Sequence, residues 1–182
     1  MAGSGVLVVA ATGRELVPIE GVRTLVCGVG PVEAAIATAR ALAKERPSVV
    51  LHVGIAGARG LEPLALVLGS EALYCDATRP LVAATALPDA DLLSRLRAAF
   101  PDASVQPIGT SARVGGSHDV DVEAMEGFAV LRACELAGVP AVEVRVVSNE
   151  IGEPDRALWR FDEAFAVLGE LLPRLVAVAS SA

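Results

Sequence analysis

Aromatic side chains are scarce in this sequence. Phe, Tyr and Trp together make up 3% of the 182 residues, whereas apolar residues make up 53%. A core of this composition has to be built from Ala, Val and Leu, which suits tight packing of helices on a sheet. A chain of this length can bury about two-thirds of the surface that it exposes when unfolded. We expect one domain over residues 1–182.

Cysteine, histidine and clustered positive charge are scarce as well. There are three cysteines and two histidines, and no two cysteines have the C-x-x-C spacing of a metal site. We expect buried free thiols in a reducing compartment, with no metal and no cofactor. The formal net charge is −7 and no basic patch stands out. This disfavours nucleic acid and an anionic membrane surface as partners.

Long apolar runs and targeting signals are missing too. No apolar run approaches the roughly 18 residues that a membrane-spanning helix requires. The first residues, MAGSGVLVVAATG, lack the charged start and the long apolar stretch of a signal peptide. We therefore expect a cytoplasmic protein with no membrane partner.

Short apolar runs alternate with helical patterns along the chain. The runs are typical of strands covered on both faces; they lie at residues 6–11, 24–30, 48–54, 71–77, 105–110 and 141–148. Helical patterns cover residues 31–46, 90–100, 123–137 and 161–179, with loops at 78–88 and 111–121. This alternation predicts an α/β fold, a three-layer αβα sandwich with a mixed, largely parallel central sheet.

Proline and glycine mark the ends of the predicted helices. Pro31 stands at a helix-entry position, Gly138 ends the third helix, and Pro173 should kink or split the fourth. The first helix carries an apolar stripe that we expect to be its buried face; the stripe consists of Val32, Ala35, Ile36, Ala39 and Leu42.

Two glycine motifs follow predicted strands, at the edge where α/β sheets bind ligands. GVGPVEAA begins at Gly28, but Glu33 occupies the third glycine position of a dinucleotide-binding pattern, so a structural turn is favoured. GIAG, from Gly54 to Gly57, offers backbone amides for close approach of a ligand, or forms only a tight turn.

Several single residues have ordinary structural interpretations. Glu143 and Arg145 stand two apart in the strongest apolar run, which predicts a structural pair on one face of a strand. His52 and His118 are lone histidines, for which core or surface positions are favoured over catalysis. Trp159, the only tryptophan, is expected to pack or, alternatively, to cover a pocket.

Glu126 and Asn149 are more informative. Glu126 opens the third predicted helix, and Asn149 ends the strand that follows it. A carboxylate can accept hydrogen bonds from two neighbouring hydroxyls, and a carboxamide both donates and accepts. The pair therefore suits a nucleoside, with the ribose on Glu126 and the base on Asn149. Glu123, in the same predicted first turn, is expected to serve the helix end or face solvent.

Four blocks resemble the nucleoside phosphorylase and nucleosidase superfamily over nearly the whole chain. They are LVVAATGREL, LVCGVGPVEAAIATARAL, LHVGIAGARGL and VEAMEGFAVLRACELAGVPAVEVRVVSNEIGEPDRALW. The last block, with M-E-G, V-R-x-x-S-N and P-D-R-x-x-W, is most similar to the futalosine hydrolases, which remove hypoxanthine from futalosine in menaquinone biosynthesis. The 5′-methylthioadenosine/S-adenosylhomocysteine nucleosidases are more distant relatives.

The resemblance implies a nucleoside phosphorylase-like fold and roles for individual residues. Glu126 would bind the 2′- and 3′-hydroxyls, with Met125 packed under the sugar. Asn149 stands where adenine-directed nucleosidases have an aspartate acid, which implies a 6-oxopurine. Ile55, between Gly54 and Ala56, occupies the place where phosphorylases usually carry a hydroxyl residue for phosphate, so water is favoured as the acceptor.

The remaining candidate residues also come from the resemblance. The family's water-activating glutamate aligns best with Gly13, so Glu15, two residues on, is the candidate general base. The segment between Asp76 and Glu123 is shorter than in the family. Residues 111–116 remain of the loop that stacks on the base, with Val114 as a substrate-binding candidate. Ser148, beside Asn149, is another.

The resemblance implies N-glycosidic hydrolysis of a small-molecule purine nucleoside by a homodimer or higher homo-oligomer. Three alternatives stay open. Gly13 at the expected base position favours a non-catalytic nucleoside-binding homologue. The others are a purine nucleoside phosphorylase and a methylthioadenosine-type nucleosidase.

Overall fold

Strands and helices alternate along the chain. The computed structural model describes residues 5–77, 81–117 and 119–181, so His118 and residues 78–80 of a predicted loop lie outside the described part. The strands are β1 (Val6–Ala10), β2 (Arg23–Val26), β3 (Val49–Ala58), β4 (Leu66–Tyr74), β5 (Thr85–Ala86), β6 (Ser104–Thr110), β7 (Val122–Ala124) and β8 (Ala141–Glu150). The helices are α1 (Pro31–Lys44), α2 (Ala90–Ala99), α3 (Gly127–Ala137) and α4 (Phe161–Ser180).

The sheet is mixed and largely parallel, as the sequence predicts. The parallel pairs are β1–β2, β1–β3, β3–β8, β4–β6 and β6–β7. The antiparallel pairs are β3–β7, β4–β5 and β4–β8. Strands β3, β8, β4, β6 and β7 therefore pair in a closed ring, from which β1 and β2 extend at β3 and β5 extends at β4.

This closed ring of strands differs from the central sheet of the predicted three-layer sandwich, and the lengths of two strands explain the difference. The third strand continues beyond its expected end through GIAG, and its last two residues pair with β7. The fourth strand begins at Leu66 instead of residue 71, and its first three residues pair with β8. GIAG is thus a strand segment and not a tight turn, with an irregularity in its pairing between Ala56 and Gly57.

Two apolar clusters lie on opposite sides of the sheet. Leu51 of β3 packs with Leu168 and Leu172 of α4 on one side. Val50, the neighbour of Leu51, packs with Leu131 of α3 on the other. Because successive strand residues point to opposite faces, a strand covered by helices on both sides must be apolar throughout.

Three predicted helix features change in the structure. The stripe predicted to bury α1 is largely displaced: Val32 is 65% exposed and Ile36 52%, whereas Ala34 and Thr38 are fully buried. Leu42 is the member of the predicted stripe that is buried. The third helix begins at Gly127, since the preceding residues pair as β7. The fourth runs unbroken through Pro173. None of the described helices has the length and apolar character to cross a bilayer.

Candidate functional site

A cavity of about 460 Å³ opens where β1, β3, β7 and β8 end. Eight of the predicted site residues line it; they are Glu15, Ile55, Ala56, Val114, Met125, Glu126, Ser148 and Asn149. Gly54 does not line the cavity. A Cβ atom at Gly54 would lie 2.2 Å from Arg145 Nη1 and 2.6 Å from Glu15 Oε1. Because Gly54 has no side chain, Arg145 and Glu15 can lie against its backbone. These two residues line the cavity, and Gly54 lies behind them.

Glu126 is held by the turn that precedes α1. Its Oε1 accepts a hydrogen bond from the backbone amide of Gly30 at 3.0 Å, and its Oε2 lies 3.6 Å from Arg145 Nη2. Gly28 and Gly30 both have positive φ, which glycine adopts without strain, so GVGP is the structural turn that the sequence favoured. Burial raises the pKa of Glu126, and Arg145 and the Gly30 amide partly offset this effect.

Asn149 is fixed near the end of β8 by its neighbours. The Ser148 hydroxyl lies 2.8 Å from Asn149 Oδ1, and Asn149 Nδ2 donates to the carbonyl of Glu150 at 3.1 Å. A carboxamide has two N–H donors and two acceptor lone pairs, so one of each remains for a ligand. Gly57 permits this position, because a Cβ atom there would lie 2.9 Å from Nδ2.

Glu15 reaches the cavity from a 3₁₀ turn, Gly13–Glu15, that follows β1. Its Oε2 accepts hydrogen bonds from the Thr12 amide at 2.7 Å and the Thr12 hydroxyl at 3.0 Å. Its Oε1 accepts from the Ile55 amide at 3.4 Å. The Glu15 carboxylate is therefore buried and is oriented by Thr12 and by the backbone amide of Ile55.

Arg145 is the main cavity residue that the sequence did not assign to the site. It forms the predicted pair with Glu143, as its Nε donates to Glu143 Oε1 at 2.8 Å. The same guanidinium lines the cavity beside Glu126 and is only 1% exposed. The sequence did carry a signal for this role: two charged residues, Glu143 and Arg145, stand at alternate positions of an otherwise apolar strand. Burial of such groups requires partners.

Aromatic residues gather at another wall of the cavity. Trp159, Phe161 and Phe165 line it, and Trp159 meets Phe161 edge-on with ring centroids 5.4 Å apart. The Trp159 indole N–H donates to the carbonyl of Glu153 at 3.1 Å. Three of the six aromatic residues thus line this cavity, and Trp159 is one of them. Arg113 and Arg156 add positive charge to the lining.

Glu123 anchors the loop that carries Arg113 and Val114. It is 8% exposed and belongs to strand β7, so it neither faces solvent nor lies in a helix. Its Oε1 accepts from the Gly115 amide at 2.7 Å, and its Oε2 accepts from the Ser117 amide at 3.3 Å. Both acidic residues line the cavity, but their partners differ: Glu123 is bound by loop amides, whereas Glu126 is held by the Gly30 amide and lies close to Arg145.

The thiols show no sign of nucleophilic chemistry. All three cysteines are free, and burial raises the pKa of Cys27 and of Cys134 to about 12. A thiol that stays protonated is a poor nucleophile. The described residues contain no group of His, Cys, Asp and Glu side chains that could hold a metal ion.

Comparisons with known proteins agree with this architecture. A family model of the phosphorylase superfamily matches residues 8–115. The futalosine hydrolase of Streptomyces coelicolor is 34% identical over 89% of this chain and 81% of its own length. That of Acidothermus cellulolyticus is 32% identical over 80% of this chain and 74% of its own.

A solved structure shows the same fold. It is the 5′-methylthioadenosine/S-adenosylhomocysteine nucleosidase of Colwellia psychrerythraea in complex with adenine, with a TM-score of 0.84 and 19% identity. The match covers 97% of this chain and 96% of that one. The chain therefore belongs to the phosphorylase superfamily. Within that superfamily, the two sequence relatives named above are futalosine hydrolases.

Proposed function

We propose that this protein hydrolyses the N-glycosidic bond of a purine nucleoside, namely futalosine, and releases hypoxanthine and dehypoxanthine futalosine in menaquinone biosynthesis. The observation that carries the proposal is that Glu126 and Asn149 line one cavity together with Glu15 and Arg145. Family membership and the similarity to two futalosine hydrolases support the reaction class.

Each wall of the cavity has a role in this reaction. Glu126 binds the 2′- and 3′-hydroxyls, and Met125 packs under the sugar. Asn149 binds the purine, and the hydrogen bonds that it makes strengthen as negative charge moves onto the departing base. Glu15 takes a proton from the attacking water. Val114 and Ser148 complete the base side of the cavity.

Water suits this site better than phosphate as the acceptor. Ile55 contributes no side-chain donor, and Arg145 is already paired with Glu143 and close to Glu126. A phosphate ion bound beside Ile55 would bring negative charge next to Glu15 and Glu126, and Arg145, the buried cation beside them, is already engaged by carboxylates. The cavity therefore favours hydrolysis over phosphorolysis.

The protein acts as a homodimer or higher homo-oligomer in this proposal. Val29 and Val114 line the cavity and are also about half exposed, and Val32 and Ile36 on the adjoining helix α1 are exposed as well. A second copy that covers this apolar surface would bury it and close one side of the cavity. We further propose that residues 1–182 act as one domain in the cytoplasm, without a metal or cofactor.

Product analysis in phosphate-free buffer tests the function. Futalosine, inosine and 5′-methylthioadenosine are offered in parallel, and hypoxanthine release from futalosine is the expected result. Glu126→Ala should abolish release while the protein stays folded, and normal release by this variant would contradict the ribose assignment. Adenine release from methylthioadenosine alone would instead indicate a methylthioadenosine-type nucleosidase.

Two further results would redirect the proposal. A rate that depends on added phosphate would identify a phosphorylase. Calorimetric binding of inosine without product release from any nucleoside would identify a non-catalytic binding protein.

A further inference from the structure

Three side chains form a buried polar cluster directly beneath the cavity. Arg145 donates from Nε to Glu143 Oε1 at 2.8 Å, and its Nη2 lies 2.5 Å from His52 Nε2. His52 and Glu143 are fully buried, and neither lines the cavity. Among the described residues that line the cavity, Arg145 is the one to which both are hydrogen-bonded.

The hydrogen bonds fix the protonation state of His52. Its Nδ1 lies 3.1 Å from the carbonyl of Val9, which can only accept, so Nδ1 carries the proton. Its Nε2 then has a free lone pair that accepts from Arg145. Burial and the neighbouring Arg145 lower the pKa of His52, so the ring stays neutral and serves as an acceptor. His52 and Glu143 together hold two of the three guanidinium nitrogens.

Gly127 makes the position of Glu143 possible. A Cβ atom at Gly127 would lie 1.9 Å from Glu143 Oε2 and 2.3 Å from its Cδ. This Oε2 is buried and has no hydrogen-bond partner among the described residues. A buried carboxylate with an unpaired oxygen destabilises a fold relative to apolar residues of similar volume, and glycine is a poorer helix former than alanine. Both features are unfavourable for stability, which points to a use in the site.

We propose that Glu143 and His52 are positioning residues that act through Arg145, and that Gly127 is the space that lets Glu143 reach it. Held by these two acceptors, the guanidinium stays beside Glu126 Oε2 and near Glu15, the two carboxylates assigned to the sugar and the water. This inference rests on the proposed hydrolase function for its kinetic consequences. The arrangement of Glu143, His52 and Gly127 around Arg145 does not depend on that function.

Four variants test the cluster: Glu143→Gln, Glu143→Ala, Gly127→Ala and the double variant Gly127→Ala/Glu143→Ala. Gln keeps an acceptor for Arg145 Nε and should retain kcat/KM for hypoxanthine release within about threefold. Ala leaves that N–H unpaired and should lower kcat/KM by roughly tenfold or more. Gly127→Ala should cause a similar loss by displacing the carboxylate. In the double variant, the substitution at Gly127 should cause no further loss of kcat/KM, because the Glu143 carboxylate with which its Cβ atom would clash is absent.

A spectroscopic measurement reports on Arg145 without turnover. The Arg145 Nε–H should give a solvent-protected signal in ¹H–¹⁵N spectra of the wild type and of Glu143→Gln. It should lose protection in Glu143→Ala and in Gly127→Ala. Thr38→Val is the control, because it alters another buried polar side chain that has no hydrogen-bond partner among the described residues and lies outside the cavity lining. Its kinetics and its Arg145 signal should match those of the wild type.

The outcomes separate the two proposals. An inactive wild type refutes the hydrolase function, and the inference is then decided by calorimetry with inosine, which Glu143→Ala must bind more weakly than the wild type. Unchanged inosine affinity in that case overturns the inference. With an active wild type, it is overturned if folded Glu143→Ala retains wild-type kcat/KM, or if the two substitutions at positions 127 and 143 act additively.

Discussion

At the scale of single residues, the chemistry of the site depends on charges buried beside one another. Glu126, Glu143 and Arg145 are all nearly inaccessible, and burial raises the pKa of both glutamates while Arg145 lowers it. Arg145 is thus the shared cationic partner of Glu126 and Glu143, in a space from which water is largely excluded. Glu126 therefore titrates at higher pH than an ordinary glutamate.

This sensitivity predicts the pH dependence of activity. The ionised form of Glu126 accepts hydrogen bonds from two hydroxyls, whereas the protonated form loses its charge and part of its acceptor capacity. As pH falls through the raised pKa, kcat/KM should fall, and this acid limb should lie above the pH at which a free glutamate titrates. Glu126→Gln should retain little activity and no such limb. If Glu126→Gln shows the same acid limb, the limb arises from another titrating group.

A second residue-scale prediction concerns the choice of base. Asn149 offers one donor and one acceptor and cannot become an acid, which suits a 6-oxopurine. Asn149→Asp should lower release of hypoxanthine from inosine and raise the ratio of adenine to hypoxanthine release when adenosine and inosine compete. The matched control is Ser148→Ala, which removes the hydroxyl next to Asn149 Oδ1 without adding an acid. An unchanged ratio in Asn149→Asp would refute base recognition by this side chain.

At the scale of secondary-structure elements, local signals were strong for helix ends and weak for strand ends. Gly138 ends α3 in a left-handed conformation, with φ of 63°, as its position predicts. The predicted start of α3 was wrong because Val122–Ala124 pairs with β3, which is distant in sequence, and with the preceding strand β6. These hydrogen bonds replace those of a first helical turn. The extension of β3 through GIAG has the same cause.

Pro173 gives a prediction at this scale. It lies on the exposed side of α4, and proline supplies no amide hydrogen for the carbonyl of Gly169, four residues earlier. Packing of Leu168, Leu172 and Leu175 on the sheet keeps the helix continuous despite this defect. Pro173→Ala should stabilise the fold by about 2 kcal/mol and raise Tm by roughly 4–8 °C.

Calorimetry against a control on the same helix tests this expectation. Glu170→Ala is also at an exposed position and should change the free energy of unfolding by less than about 0.5 kcal/mol. A Tm of Pro173→Ala at or below that of the wild type would show that the helix needs proline at this position.

At the scale of the whole molecule, a sheet separates two apolar clusters, and this predicts how core mutations combine. Leu131→Ala and Leu168→Ala, on opposite sides, should each cost about 2–5 kcal/mol and should add to within about 0.5 kcal/mol. Leu168→Ala and Leu172→Ala, neighbours on α4 in one cluster, should depart from additivity by more than that. Urea unfolding measures both pairs, and strong coupling across the sheet would contradict the separation.

The sequence by itself determined the α/β class, the positions of the four helices to within a few residues, and Glu126 and Asn149 as residues that line the cavity. These follow from local physics: apolar periodicity, helix-ending glycine, and polar residues at the carboxyl ends of strands. The family resemblance contributed the superfamily, which the comparisons confirm, and the other predicted residues that line the cavity.

Only the tertiary structure decided how the sheet closes and which charges meet. Ring closure depends on pairing between strands far apart in sequence, and no local pattern encodes that choice. Likewise, Glu15, Arg145 and Glu126 come from three separate segments, and Gly54 and Gly127 matter because of side chains that approach them from elsewhere. Buried charge can be stabilised only by partners brought in by the fold, so the composition of the cluster could not be read along the chain.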